Sequence, residues 1–124
     1  MRETSKKMQI FDIQQSIIAA NGNISLAKEL FTMLLGELHP RYQQIESSFQ
    51  NNDLDALAEH AHKLYGATAY CIVPQLRDHA QKLDKALSEK NNSQLEDLVT
   101  AVLESMTQLI KEGPIFLDRN WSKS

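Results

Sequence analysis

The chain has 124 residues, 42% of them hydrophobic and 23% charged, which is the size of one globular domain with apolar material for a single core. Its formal net charge of −3 carries no basic stripe, so nucleic-acid binding has no electrostatic footing. The lone Cys71 excludes an intramolecular disulfide, and the sequence has neither a signal-peptide pattern nor the run of roughly 18 or more apolar residues that spans a bilayer.

With only 4 Gly and 3 Pro against abundant Leu, Ala, Lys, Glu and Gln, the balance favours helix, and no stretch alternates apolar and polar residues as a strand requires. The expected fold class is all-α. Residues 1–7 are polar and read as a linker. A short first helix is expected from Met8 to Ala20, with Ile10, Ile13 and Ile17 at helical spacing and a stop at Asn21-Gly22-Asn23. The second helix, Ser25 to Gln50, carries the stripe Ala27, Phe31, Leu34, Leu38, Tyr42, Ile45 and Phe49. Pro40 lies inside it, lacks an N–H and crowds the carbonyl of Gly36, which predicts a bend between Gly36 and Pro40.

Asp53 is a good N-cap for a third helix whose core face is Leu54, Leu57, Ala61, Leu64, Thr68 and Cys71. The fourth starts at Pro74, buries Leu76, Ala80, Leu83 and Leu87, and ends at Asn91-Asn92. Ser93-Gln94-Leu95-Glu96 reads as a capping box opening a fifth helix, through Leu98, Val102, Met106 and Leu109 to a stop at Gly113-Pro114. Short connections make sequential helices antiparallel, so an up-down four-helix bundle over residues 8–112, with the short first helix laid against it, is the simplest packing. The tail, 113–124, holds Ile115, Phe116, Leu117 and Trp121 and is expected to fold back onto the bundle.

The candidate chemistry lies in Glu59-His60-Ala61-His62-Lys63-Leu64-Tyr65-Gly66. Histidines at i and i+2 on a helix are separated by about 200°, so the pair does not chelate a metal. With Ala61 and Leu64 facing the core, His60 and His62 fall on opposite, partly exposed flanks. Gly66, one turn after His62, costs a helix interior roughly 1 kcal/mol relative to Ala. It either leaves the His62 imidazole open to another protein or allows a close helix contact within the bundle. His39 and His79 have no acid or Cys partners at ligand spacing and read as structural or solvated.

His62-Lys63-Leu64-Tyr65-Gly66-Ala67 resembles the H-x-L-x-G-[AS] signature of histidine-containing phosphotransfer (HPt) domains. The continuation Tyr70-Cys71-Ile72-Val73-Pro74-Gln75-Leu76 and the segment Ala27–Arg41 with its Leu-His-Pro are similar to the C-terminal HPt domain of BarA-type hybrid sensor histidine kinases. The resemblance implies a phosphorelay intermediate. His62 would accept a phosphoryl group from a receiver-domain aspartate and hand it to the aspartate of another receiver. A neutral imidazole suits this role if one nitrogen is exposed and the other keeps its proton on a fixed acceptor. The family implies a polar acceptor twenty-two positions on, which is Asp84. Many members have Lys three residues after the histidine; here Tyr65 stands there as a candidate hydroxyl donor, and Lys63 is the candidate cation. Ile72 occupies a position where the family usually has Gly. Either the turn is built differently, or the third helix runs on to about Val73.

The resemblance also implies that Mg²⁺ sits in the receiver partner, leaving no cofactor or metal on this chain. Receiver docking is expected around Tyr65, Gly66 and Ala69, with Phe11 or Ile17 from the first helix. The isolated domain is expected to be a monomer without direct membrane contact, cytoplasmic, and the C-terminal part of an inner-membrane sensor kinase. Two other readings stay open: a bundle that docks a receiver without carrying phosphate, and a histidine kinase dimerisation domain. The latter needs a nucleotide-binding domain, for which 124 residues leave no room.

Overall fold

The computed structural model describes residues 8–121, and the linker expected over residues 1–7 lies outside them. Five helices form: α1 (Ile13–Ala19), α2 (Ile24–Gln50), α3 (Leu54–Ala67), α4 (Pro74–Ser88) and α5 (Leu95–Leu117). Helices α2 to α5 pack in a ring in chain order, α2 against α3, α3 against α4, α4 against α5 and α5 back against α2, while α1 rests on α2. This is the four-helix bundle with a short extra helix that the periodicity predicts. Its core is filled by the expected faces, including Phe31, Leu38, Ile45, Leu57, Leu64, Leu76, Leu83, Met106 and Leu109, each almost fully buried.

The local signals that set the elements are side-chain caps and turns. Asn23 and Asp53 accept the backbone N–H of Leu26 and Ala56 at 3.0 and 3.1 Å, satisfying helix-start donors that would otherwise be unpaired. Pro74 begins α4, where its missing N–H costs nothing. Helix α2 continues without a break through Pro40. Gly36 and Pro40 are both exposed, so water can take up the carbonyl that the proline leaves without a donor.

Three sequence expectations are corrected. Helix α1 starts at Ile13, not Met8, because Asp12 is its N-cap and accepts Gln15 N–H at 3.0 Å. The stretch before it is extended instead, and holds the α3–α4 link: Gln75 N–H donates to the Gln9 carbonyl at 3.1 Å and Asp12 N–H to the Ile72 carbonyl at 3.0 Å. The capping box at Ser93 does not form; Gln94 caps α5 without a side-chain bond, and Ser93 Oγ donates instead to Asn91 Oδ1 at 2.9 Å. Nor does α5 stop at Gly113-Pro114, since it runs on to Leu117. At Gly113 a Cβ would lie 2.5 Å from Leu35 Cδ2, so this glycine serves the close approach of α5 to α2. Of the two alternatives left open at Ile72, the structure shows a differently built turn: α3 ends at Ala67. Ile72 is not in the left-handed region; its N–H donates to Ser16 Oγ at 3.2 Å, so the turn is built by pairing with α1.

At the end of the bundle where α2 starts and α5 finishes, four aromatic rings close the core. Phe11 stacks on Phe31 with centroids 3.9 Å apart, and Phe116 and Trp121 each lie 5.4 Å from Phe11. Trp121 Nε1 donates to the Phe116 carbonyl at 2.8 Å, folding the tail back as expected, whereas Ile115 stays exposed. Cys71 is buried on the continuation of the α3 core face, and burial pushes its thiol up to about 11. Phe11→Ala is expected to lower unfolding free energy by about 3 kcal/mol, read from denaturant melts, because it empties the centre of the aromatic cluster.

Candidate functional site

His62 sits in the third turn of α3, between the core residues Ala61 and Leu64, and its side chain is 75% exposed. The flank it occupies borders α4. There its Nδ1 lies 3.2 Å from Oδ1 of Asp84, whose side chain is 23% exposed in the seam beside the buried Leu83. An ionised carboxylate offers acceptors only, so in this contact Nδ1 carries the proton and donates. Nε2 is then left with its lone pair on the solvent side, which is the state a nucleophile needs.

A methyl group built on Gly66 would meet nothing within 4 Å. The alternative that this glycine serves a close helix contact is therefore excluded, and the surface one turn beyond His62 is open. Next to it, between α2 and α3, runs a groove of about 360 Å³ lined by Leu30, Met33, Glu37, Lys63, Gly66 and Tyr70 among others. Met33 and Tyr70 are 55% and 67% exposed, large apolar surfaces beside the histidine that sequence reading did not single out. Their signal was present in part: Met33 breaks the buried stripe of α2 outward, but nothing in the sequence places it opposite Gly66.

The remaining expected residues divide between the two sides. Lys63 faces the α2 groove and pairs with Glu59 at 3.1 Å, so its charge is partly answered within α3. His60 lies on the same side, near Arg41 and Pro40, confirming that the two histidines point apart. Tyr65 is half-buried on the α4 side, where Arg77 covers its ring at 4.7 Å from the guanidinium carbon to the centroid. Ala69 is exposed. Phe11 and Ile17 are buried in the core, so the expected docking contribution from that segment is corrected: neither side chain has surface to offer. Among the described residues, no three His, Cys, Asp or Glu side chains gather into a metal-binding group, and no helix is long and apolar enough to cross a membrane.

Comparison with known proteins places this arrangement among relatives. The profile of the Hpt domain family matches residues 29–112. The chain is 35% identical to the sensor histidine kinase GacS of Pseudomonas protegens over 89 residues, covering 72% of the chain and 10% of that kinase. It is 26% identical to the signal transduction histidine-protein kinase BarA of Escherichia coli K12 over 98 residues, 79% of the chain and 10% of that kinase. The chain thus spans about a tenth of the length of these curated relatives. A crystal structure of the HPT domain from a sensor hybrid histidine kinase of Shewanella superposes with a TM-score of 0.83 at 25% identity, covering 91% of this chain and 97% of that one.

The two glycines of helices α3 and α5 provide a stability test of this geometry. Gly66→Ala is expected to stabilise the fold by up to about 1 kcal/mol, since helix propensity improves and nothing is struck. Gly113→Ala is expected to lose about 1 kcal/mol, because overpacking against Leu35 outweighs the same gain. Paired chemical-denaturation curves give both signs.

Proposed function

The chain belongs to the Hpt domain family, and from that premise we propose that it is a phosphorelay intermediate carrying the phosphoryl group on Nε2 of His62. In the forward step, the Nε2 lone pair attacks phosphorus of an aspartyl phosphate on a receiver domain. The P–N bond forms as the P–O bond to the aspartate breaks, and that bond's electron pair leaves with the carboxylate. The Nδ1 proton stays on the ring, which becomes cationic, and the Asp84 carboxylate at 3.2 Å offsets the new charge. The reverse of this step, onto the aspartate of a second receiver, completes the relay. Mg²⁺ and the acidic pocket are assigned to the receiver.

The observation that carries the proposal is the combination at His62: an exposed ring with one nitrogen held by Asp84 and no side chain on Gly66 to block approach. The receiver docks over the open strip of Gly66 and the neighbouring groove, where Leu30, Met33 and Tyr70 supply apolar contact and Lys63 a cation. We place it as the cytoplasmic C-terminal domain of an inner-membrane sensor kinase, acting as a monomeric module; what supports this is the similarity to a tenth of the length of two sensor kinases, GacS and BarA.

Incubation with a phosphorylated receiver tests the proposal. Acid-labile, base-stable label is expected on wild type and His60→Ala and absent from His62→Ala; label persisting on His62→Ala contradicts it. Among variants that keep His62, Asp84→Ala is expected to slow transfer about tenfold, equivalent to about 1.4 kcal/mol of barrier, with Asp84→Asn between it and wild type. Gly66→Ala, although stable, is expected to raise the apparent KM for the receiver, because its methyl group stands where the partner approaches.

A further inference from the structure

Arg77 lies in the first turn of α4, and its guanidinium reaches back to the last turn of α3. Its Nη1 donates to Thr68 Oγ1 at 3.0 Å and its Nη2 to Tyr65 Oη at 3.4 Å, while its carbon stands 4.7 Å over the Tyr65 ring. Thr68 Oγ1 in turn donates to the Tyr65 carbonyl at 2.6 Å. The guanidinium, the threonine hydroxyl and the tyrosine thus form a closed bracket across the α3–α4 junction, on the side of α3 where His62 meets Asp84.

Three features of the bracket bear on the histidine. A guanidinium has donors only, so the Tyr65 oxygen accepts from Arg77 and keeps its own proton to give to another acceptor. Tyr65 follows His62 by three residues, which makes the two side chains neighbours on the helix surface. The charge of Arg77 is also unanswered by any ion pair among the described residues, whereas Lys63 is paired with Glu59 and Lys82 with Asp78. A phenol whose oxygen is held by a cation without an ion-pair partner among the described residues therefore stands on the residue one helical turn after His62.

We propose that Arg77 is a positioning residue for phosphoryl transfer, holding the Tyr65 hydroxyl as a hydrogen-bond donor to the phosphoryl oxygens on His62. The inference rests on the reading of His62 as the phosphoryl carrier. Neither Tyr65 nor Arg77 makes a bond to phosphorus, and both keep their protons. Their contribution is to answer negative charge on the oxygens from the histidine side.

Single-turnover transfer from a phosphorylated receiver to the full chain tests this, with rate at saturating receiver and apparent KM measured separately. Tyr65→Phe and Arg77→Gln are each expected to lower the saturating rate about fivefold with little change in KM, the loss of one charge-assisted donor. The double variant is expected to be no slower than either single one, because Arg77 acts through the phenol. Arg77→Lys should recover part of the rate, since an ammonium still donates to Tyr65 but does not stack on its ring. Thermal melts separate a packing role, which moves melting temperature without this coupling of rates. A wild-type saturating rate in Arg77→Gln, or losses that multiply in the double variant, overturns the inference while label on His62 stands. Failure of wild type to take label at His62 removes the premise and the inference with it.

Discussion

The 3.2 Å contact between His62 and Asp84 is the interaction on which the site depends, and it exists only because α3 and α4 are held at a fixed distance and register. The two residues are twenty-two positions apart, on neighbouring helices, each next to a fully buried core residue: Ala61 beside His62 and Leu83 beside Asp84. Core packing therefore sets the separation of two groups that are themselves at the surface. A hydrogen bond at the surface contributes little to stability because water competes for both partners. Its value is directional, since it decides which ring nitrogen holds a proton and which presents a lone pair.

The register of the two helices is in turn secured at their junction. Two backbone N–H groups at this junction are satisfied from the N-terminal segment and α1, Gln75 by the Gln9 carbonyl and Ile72 by Ser16 Oγ, and the Ile72 carbonyl in turn accepts from Asp12 N–H. The same segment carries Phe11 into the aromatic cluster with Phe31, Phe116 and Trp121. The segment before α1, the end of α5 with Trp121, and the α3–α4 turn are thereby joined at one end of the bundle. Residues 9–12, read in the sequence as the start of the first helix, act instead with Ser16 as a strap for the link that positions Asp84 and Arg77.

Helix identity was legible in the sequence because each buried face repeats at helical spacing, and Asp53 and Pro74 are local start signals: the first finds its partner within one turn and the second needs none. Errors arose where another contact, tertiary or local, overrides the expected rule. Gly113-Pro114 reads as a stop, but the glycine is needed where Leu35 presses on α5, and the helix continues through Pro114 to Leu117. Ser93-Gln94-Leu95-Glu96 has the letters of a capping box, yet Asn91 takes the serine hydroxyl. At the site, helical phase was enough to separate His60 from His62, and the family resemblance supplied Asp84. Physics left the role of Gly66 undecided, because whether a missing side chain makes room for a neighbour inside or outside the fold depends on where that neighbour is. Met33, Tyr70 and Arg77 were out of reach for the same reason, each gaining its meaning from a residue on another helix.

The central claim is that Asp84 fixes the ring of His62 with its proton on Nδ1 and its lone pair on Nε2. Long-range proton–nitrogen NMR correlation of the imidazole, recorded on the unphosphorylated chain above the pH at which the ring titrates, reads that state directly. The account predicts a proton on Nδ1 in the native chain and its redistribution toward Nε2 in Asp84→Ala. A native chain whose His62 proton resides on Nε2 would contradict it.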